Sequence, residues 1–172
     1  MCNNSTHPPF FFVIKLSNKT LNMKNTTLIV LGDGAHNDYI NFKQYYDDHF
    51  VIMEAGQNHT PISLSIPKTK RAIILCSLGG RTTHAIEFLI MYFHQEGIQC
   101  SVVGTTPFFS EGGRKVSLTN HTCMQIAPIV NNLCTVSLQE ESNKMLGEIL
   151  EKFFYHVAQL LQGKIEAITQ EE

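Results

Sequence analysis

From Thr27 onward, short apolar runs alternate with longer amphipathic ones. Residues 28–31 (LIVL), 50–53 (FVIM), 72–76 (AIILC), 100–104 (CSVVG) and 133–138 have the length and continuous apolarity of strands covered on both faces. Glycine follows or closes most of them, at Gly32/Gly34, Gly56, Gly79/Gly80 and Gly104, and Gly112/Gly113 stand in the loop beyond Gly104. Between the runs, residues 37–46 read as a short helix. Ala85, Phe88, Leu89, Tyr92 and Phe93 recur at helical spacing and Gly97 closes that segment. A Pro/Gly loop over 105–113 leads to a helix that Pro128 stops near Ala127. From Glu140 on, Met145, Ile149, Phe153, Val157, Leu160, Leu161, Ile165 and Ile168 predict one long helix. Residues 57–70, with Pro61 and Pro67, carry no period beyond the alternation of Ile62, Leu64 and Ile66.

Strands alternating with helices predict an α/β fold of three layers, Rossmann-like, with a mainly parallel sheet, helices on both faces and a long C-terminal helix. Such sheets take ligands at the carboxyl ends of their strands, where strand order reverses, and the glycines collect at those ends. The domain is expected over 23–172. Residues 1–22 hold Pro8, Pro9 and several Asn, and read as a flexible lead or as a start misassigned upstream of Met23, outside the fold. The apolar stretch 10–14 is too short for a signal core or a membrane span.

Composition changes this picture little. The chain has 172 residues, 43% hydrophobic and 16% charged, with a net charge of −2, which excludes a disordered class and gives no reason to expect nucleic acid or a membrane surface. Five cysteines are an odd number with no ligand-like spacing, and Cys76, Cys100 and Cys134 lie in apolar runs. A cytoplasmic, reducing setting is the simplest.

The chemistry gathers around the glycines. A glycine loop entering a helix aims backbone N–H groups and the positive helix end at phosphate oxygens. Residues 78–138 resemble FtsZ, the bacterial relative of tubulin, without a gap. The family signature GGGTGTG falls on Leu78-Gly79-Gly80-Arg81-Thr82-Thr83-His84, and its VVTKPFxFEGxKR stretch on VGTTPFFSEGGRK, keeping Thr105, Pro107, Phe108, Glu111, Gly112 and a basic Lys115. Gly32 and Gly34 resemble a shortened first glycine loop. The resemblance implies that Gly32, Gly34, Gly79, Gly80, Thr82 and Thr83 face phosphates, with Arg81 able to pair with one. It places Glu111 and Lys115 near the ribose and base edge, GTP or GDP as the ligand, and Mg²⁺ only together with the nucleotide.

The departures define the rest of the expectation. Leu78, Thr82 and His84 replace three family glycines and Arg81 replaces a threonine. The 47 positions from Gly32 to Gly79 are too few for the family's intervening elements. Ser137-Leu138-Gln139 and Phe153-Phe154-Tyr155 occupy the neighbourhood of the guanine-reading side chains. The family's catalytic acidic loop follows the long helix, with which this sequence closes at Glu172. The resemblance therefore implies a nucleotide or phosphate held weakly or not at all, no catalytic residue, no GTP hydrolysis by the chain alone, and a role tied to cell division or the cytoskeleton. An interaction protein without ligand is the alternative: a filament cap or FtsZ-type filament subunit, or two copies paired through the C-terminal helix.

A remote alternative comes from the histidines. Gly32-Asp33 with His36, and Gly56 with Asn58-His59, resemble blocks of metallophosphoesterases, where Asp, Asn and His converge on two metals. His94, His121 and His156 are isolated and expected near the surface, and Phe108 and Phe109 in the core.

Overall fold

The computed structural model describes residues 10–16, 26–41, 49–55 and 69–170. Six strands, β1 (Phe10–Leu16), β2 (Thr26–Leu31), β3 (His49–Ala55), β4 (Arg71–Ser77), β5 (Gln99–Thr106) and β6 (Asn132–Ser137), form one sheet in the order β3-β1-β2-β4-β5-β6. The last four strands of that order are parallel, with Thr26 opposite Arg71, Arg71 opposite Gln99 and Ser101 opposite Asn132. β1 pairs antiparallel with both β2 and β3.

The apolar runs of β2, β4 and β5 are strands because both of their faces are covered. The helices are α1 (Asp33–Ile40), α2 (Thr83–Gln95), α3 (Gly113–Ile126), α4 (Leu138–Lys144) and α5 (Leu150–Gln170). Leu28, Val30, Ile73, Leu75 and Val103 share a core with Ala35 and Tyr39 of α1 and with Val157, Leu161 and Ile165 of α5. Their neighbours in sequence, Ile29, Leu31, Ala72, Ile74 and Val102, pack on the other side against Ile86, Leu89, Ile90 and Phe93 of α2 and Ile126 of α3. Each fully buried large side chain contributes roughly 1.5–3 kcal/mol, so the period-two division of these runs between two cores accounts for much of the fold. The three layers and the mainly parallel sheet match the sequence reading.

Four details differ from that reading. Phe10–Leu16, left outside the fold, is a strand within the sheet, and its place comes from pairing partners distant in sequence. The first helix starts at Asp33, directly after Gly32, and not at Asn37. The segment from Glu140 is two helices, because Gly147 takes a φ of 90° that no α-helix accommodates, and the chain turns between Lys144 and Leu150. Phe109 is 71% exposed, and only Phe108 packs against the core. Gly56 to His59 and the alternating Ile62, Leu64 and Ile66 lie outside the described residues.

β2 is followed by a helix on one face and β4 by a helix on the other. The crevice between their carboxyl ends is thus where a doubly wound sheet opens.

Candidate functional site

Four helices begin at this carboxyl edge, and three of them have no side-chain cap. α1 follows Gly32, α2 follows Thr82 and α3 follows Gly112, all without a side-chain hydrogen bond to the first turn. By contrast α4, at the same edge, is capped by Ser137 Oγ, which accepts from Glu140 N–H at 3.2 Å. A start without a side-chain cap leaves a partial positive charge open to an anion; at α2, Thr83 N–H donates to Gly80 O at 3.2 Å and Ala85 N–H to Thr82 O at 3.0 Å.

The start of α1 meets that of α2, and the loop before α2 meets α3. A Cβ built on Gly32 would lie 3.1 Å from Thr82 Oγ1, and one on Gly34 would collide with Ser77 Oγ. Ser77 Oγ also accepts from Thr105 Oγ1 at 3.3 Å, and Leu78 N–H donates to Thr105 O at 2.9 Å, tying the loop after β4 to the end of β5. Gly79, at φ +81°, approaches α3 so closely that a Cβ would stand 2.7 Å from both Lys115 O and Thr119 Oγ1. Only glycine satisfies both the dihedral and the contact. Gly80 is half-buried with room for a Cβ, whose nearest neighbour would be Ser77 O at 3.8 Å.

Two polar atoms here are buried without a hydrogen-bond partner: Thr83 Oγ1 at the first residue of α2, on a residue 0% exposed, and His36 Nδ1 on α1. An unmade bond of this kind costs about 1–3 kcal/mol unless something else supplies the partner. Arg81 and His84 are exposed on either side of Thr82 and Thr83.

Of the residues expected at a ligand, the structure brings Gly32, Gly34, Thr82 and Thr83 to one place, with Gly79 and Gly80 below them. Glu111 and Lys115 pair with each other across one helical turn. Lys115 Nζ donates to Glu111 Oε2 at 2.7 Å and Phe108 N–H to Glu111 Oε1 at 3.0 Å, and these bonds, with that from Lys115 first, hold the Glu111 carboxyl below its ordinary range. The residues that sequence reasoning missed are Ser77 and Thr105, hydroxyls at strand ends whose adjacency arises from the register of β4 on β5. Asp38, on α1, is 8% exposed, and burial pushes its carboxyl up to about 7.

Elsewhere, a cavity of about 250 Å³ lies at the opposite, amino edge of the sheet, lined by Thr26, Arg71, Gln99, Ser101, Asn131 and Thr169 among others. It shares no residue with the glycine loops, and Arg71 Nε already donates to Gln99 Oε1 at 3.2 Å. Its size alone does not make it the site, since the uncapped helix starts and orphaned hydroxyl stand at the other edge. Among the described residues no three His, Cys, Asp or Glu side chains gather as a metal set, and no helix is long and apolar enough to cross a membrane. Cys76 and Cys100 are buried free thiols whose pKa is raised by desolvation.

No protein-family model matches the chain, and no curated protein matches it. Among solved structures it is similar to an empty FtsZ dimer from M. jannaschii, with a TM-score of 0.52 and 20% identity, over 60% of this chain and 32% of that one. The likeness is one of fold: an FtsZ-like α/β architecture, with this chain spanning about a third of the FtsZ chain it matches.

Proposed function

We propose that the chain is an FtsZ-like nucleotide-binding-type domain whose glycine-loop edge holds the phosphates of a nucleotide, guanine being the base the resemblance favours, and does not turn it over. The observation that carries this is the uncapped start of α2 beside the buried, unpartnered Thr83 hydroxyl. The positive end of a helix and a spare hydroxyl are what a phosphate oxygen takes. Gly80, which has room for a Cβ, is where the ligand approaches the backbone. Binding without turnover is what the resemblance implies; Ser77, Thr82, Thr83 and Thr105 offer hydroxyls, which bind an anion but do not accept a proton from water at neutral pH. A Mg²⁺ ion enters only with the nucleotide, and the biological setting is beside FtsZ-type filaments.

Calorimetry with GTP, GDP, ATP and inorganic phosphate, with and without Mg²⁺, tests this on the full chain. Guanine-nucleotide binding that Gly80→Leu weakens at least tenfold supports the site. A Cβ at Gly80 meets no atom closer than 3.8 Å, so the variant should keep its fold, checked by circular dichroism. Absence of binding at millimolar ligand sinks it. A second reading, a ligand-free interaction module, then gains from the close seat of Thr82 on Gly32, which fills part of the space between the first two loops.

A further inference from the structure

The apolar stripe of α5 is longer than the sheet it covers. Phe153, Val157, Leu161, Ile165 and Ile168 are buried along it. At its first turn Leu150 is 69% exposed, and Phe154, on the same stripe, is 40% exposed. The turn entering α5 adds Leu146 at 83% and Ile149 at 60%, and the segment after β5 adds Phe109 at 71%. These residues are connected. The Phe153 ring lies 5.9 Å from Phe108 and 5.3 Å from Phe154, Phe153 N–H donates to Ile149 O at 3.2 Å, and Phe109 N–H donates to Gln139 Oε1 of α4 at 3.3 Å. Further along α5 the exposed positions are Gln159, Gly163, Ala167 and Gln170, so the exposed large apolar side chains of the helix are confined to its start.

We propose that this patch is a self-association surface, pairing a second copy of the chain about a two-fold axis. Phe109, Leu146, Ile149, Leu150 and Phe154 together present roughly 600 Å² of apolar side chain, at the upper end of the largest patch on an ordinary monomer. One side of a standard interface buries about 800 Å², somewhat over half of it apolar, so the patch matches what one protomer of a stable pair contributes. The rim suits a copy of itself. Lys144 and Lys152 stand among Glu140, Glu148 and Glu151, with Lys152 to Glu148 at 3.0 Å and Lys144 to Glu141 at 2.6 Å. Charges of both signs on this rim let a second copy approach without net repulsion.

Sedimentation velocity on the full chain, without nucleotide and across the micromolar range, tests this independently of the phosphate site. The expected result is a dimer whose dissociation constant rises at least tenfold in Leu146→Ser and in Leu150→Ser. Phe88→Ser and Met91→Ser, on the exposed side of α2 at 51% and 58%, leave it unchanged. Leu146 is too exposed for its replacement to unfold the chain, so its effect reads the interface directly. A chain monomeric throughout overturns the proposal, as does a dimer indifferent to both α5-start variants with unchanged circular dichroism. A monomer that co-sediments with phosphatidylcholine vesicles also overturns it, by giving the patch to a lipid surface.

Discussion

Gly79 and Gly80 are neighbours in sequence with different constraints. Gly79 combines a positive φ with contacts at 2.7 Å, whereas Gly80 has neither. We predict that Gly79→Ala costs about 2–4 kcal/mol in chemical denaturation and that Gly80→Ala costs under about 1 kcal/mol. Equal losses would remove the distinction. Thr83 invites the opposite test. Thr83→Val removes a hydroxyl that has no partner, so the unliganded chain should gain up to about 1 kcal/mol while phosphate or nucleotide binding weakens. A loss of stability would mean that the hydroxyl is already satisfied.

Asp38 adds a pH dependence at the same scale. Its carboxyl titrates near 7 in the fold against 3.8 ordinarily, so the folded state binds that proton more tightly than the unfolded chain. The stability it contributes is full below about pH 4 and is lost as pH rises through about 7. Asp38→Asn should therefore be more stable than the parent at pH 8, by at most on the order of 4 kcal/mol, and should lose that advantage near pH 4. Parallel stability curves for the two proteins in urea would contradict this assignment.

At the scale of elements, what the sequence disclosed depended on how local the cause was. Residues 28–31 and 72–76 were legible because burial on both faces demands apolar side chains at every position. Gly97 was legible as the end of α2 for the same reason, since its cause lies within one turn. The start of α1 was not. Gly34 is a poor helix residue, and it sits inside α1 because Ser77, more than forty positions away, leaves no room for a Cβ. β1 was missed because a five-residue apolar run next to prolines resembles a tail until its partners β2 and β3 are known. The break between α4 and α5 was written in Gly147, but the apolar period runs through it and masks it. That break makes the cap of α4 matter. Ser137→Ala should cost about 1 kcal/mol by thermal unfolding, and a change within error would mean that α4 is held by Glu141 instead, whose carboxylate accepts from Lys144 at 2.6 Å and pairs with His156 at 3.0 Å.

For the whole molecule, the sheet order places the starts of α1, α2 and α3 at one edge and the polar cavity at the other. The glycine positions indicated that edge from the sequence, but the seat of Thr82 on Gly32 and the bond between Ser77 and Thr105 joined residues too far apart to be read together. The central claim is that ligand phosphates meet the start of α2. Its most direct test is a ¹⁵N–¹H correlation spectrum of the full chain titrated with GDP. The account predicts that the amides of Gly80, Arg81, Thr82, Thr83 and His84 move first and furthest, with those of Gly32 to Gly34 following. Shifts confined to Arg71, Gln99 and Asn131 at the opposite edge, or an unchanged spectrum at millimolar GDP, would contradict it.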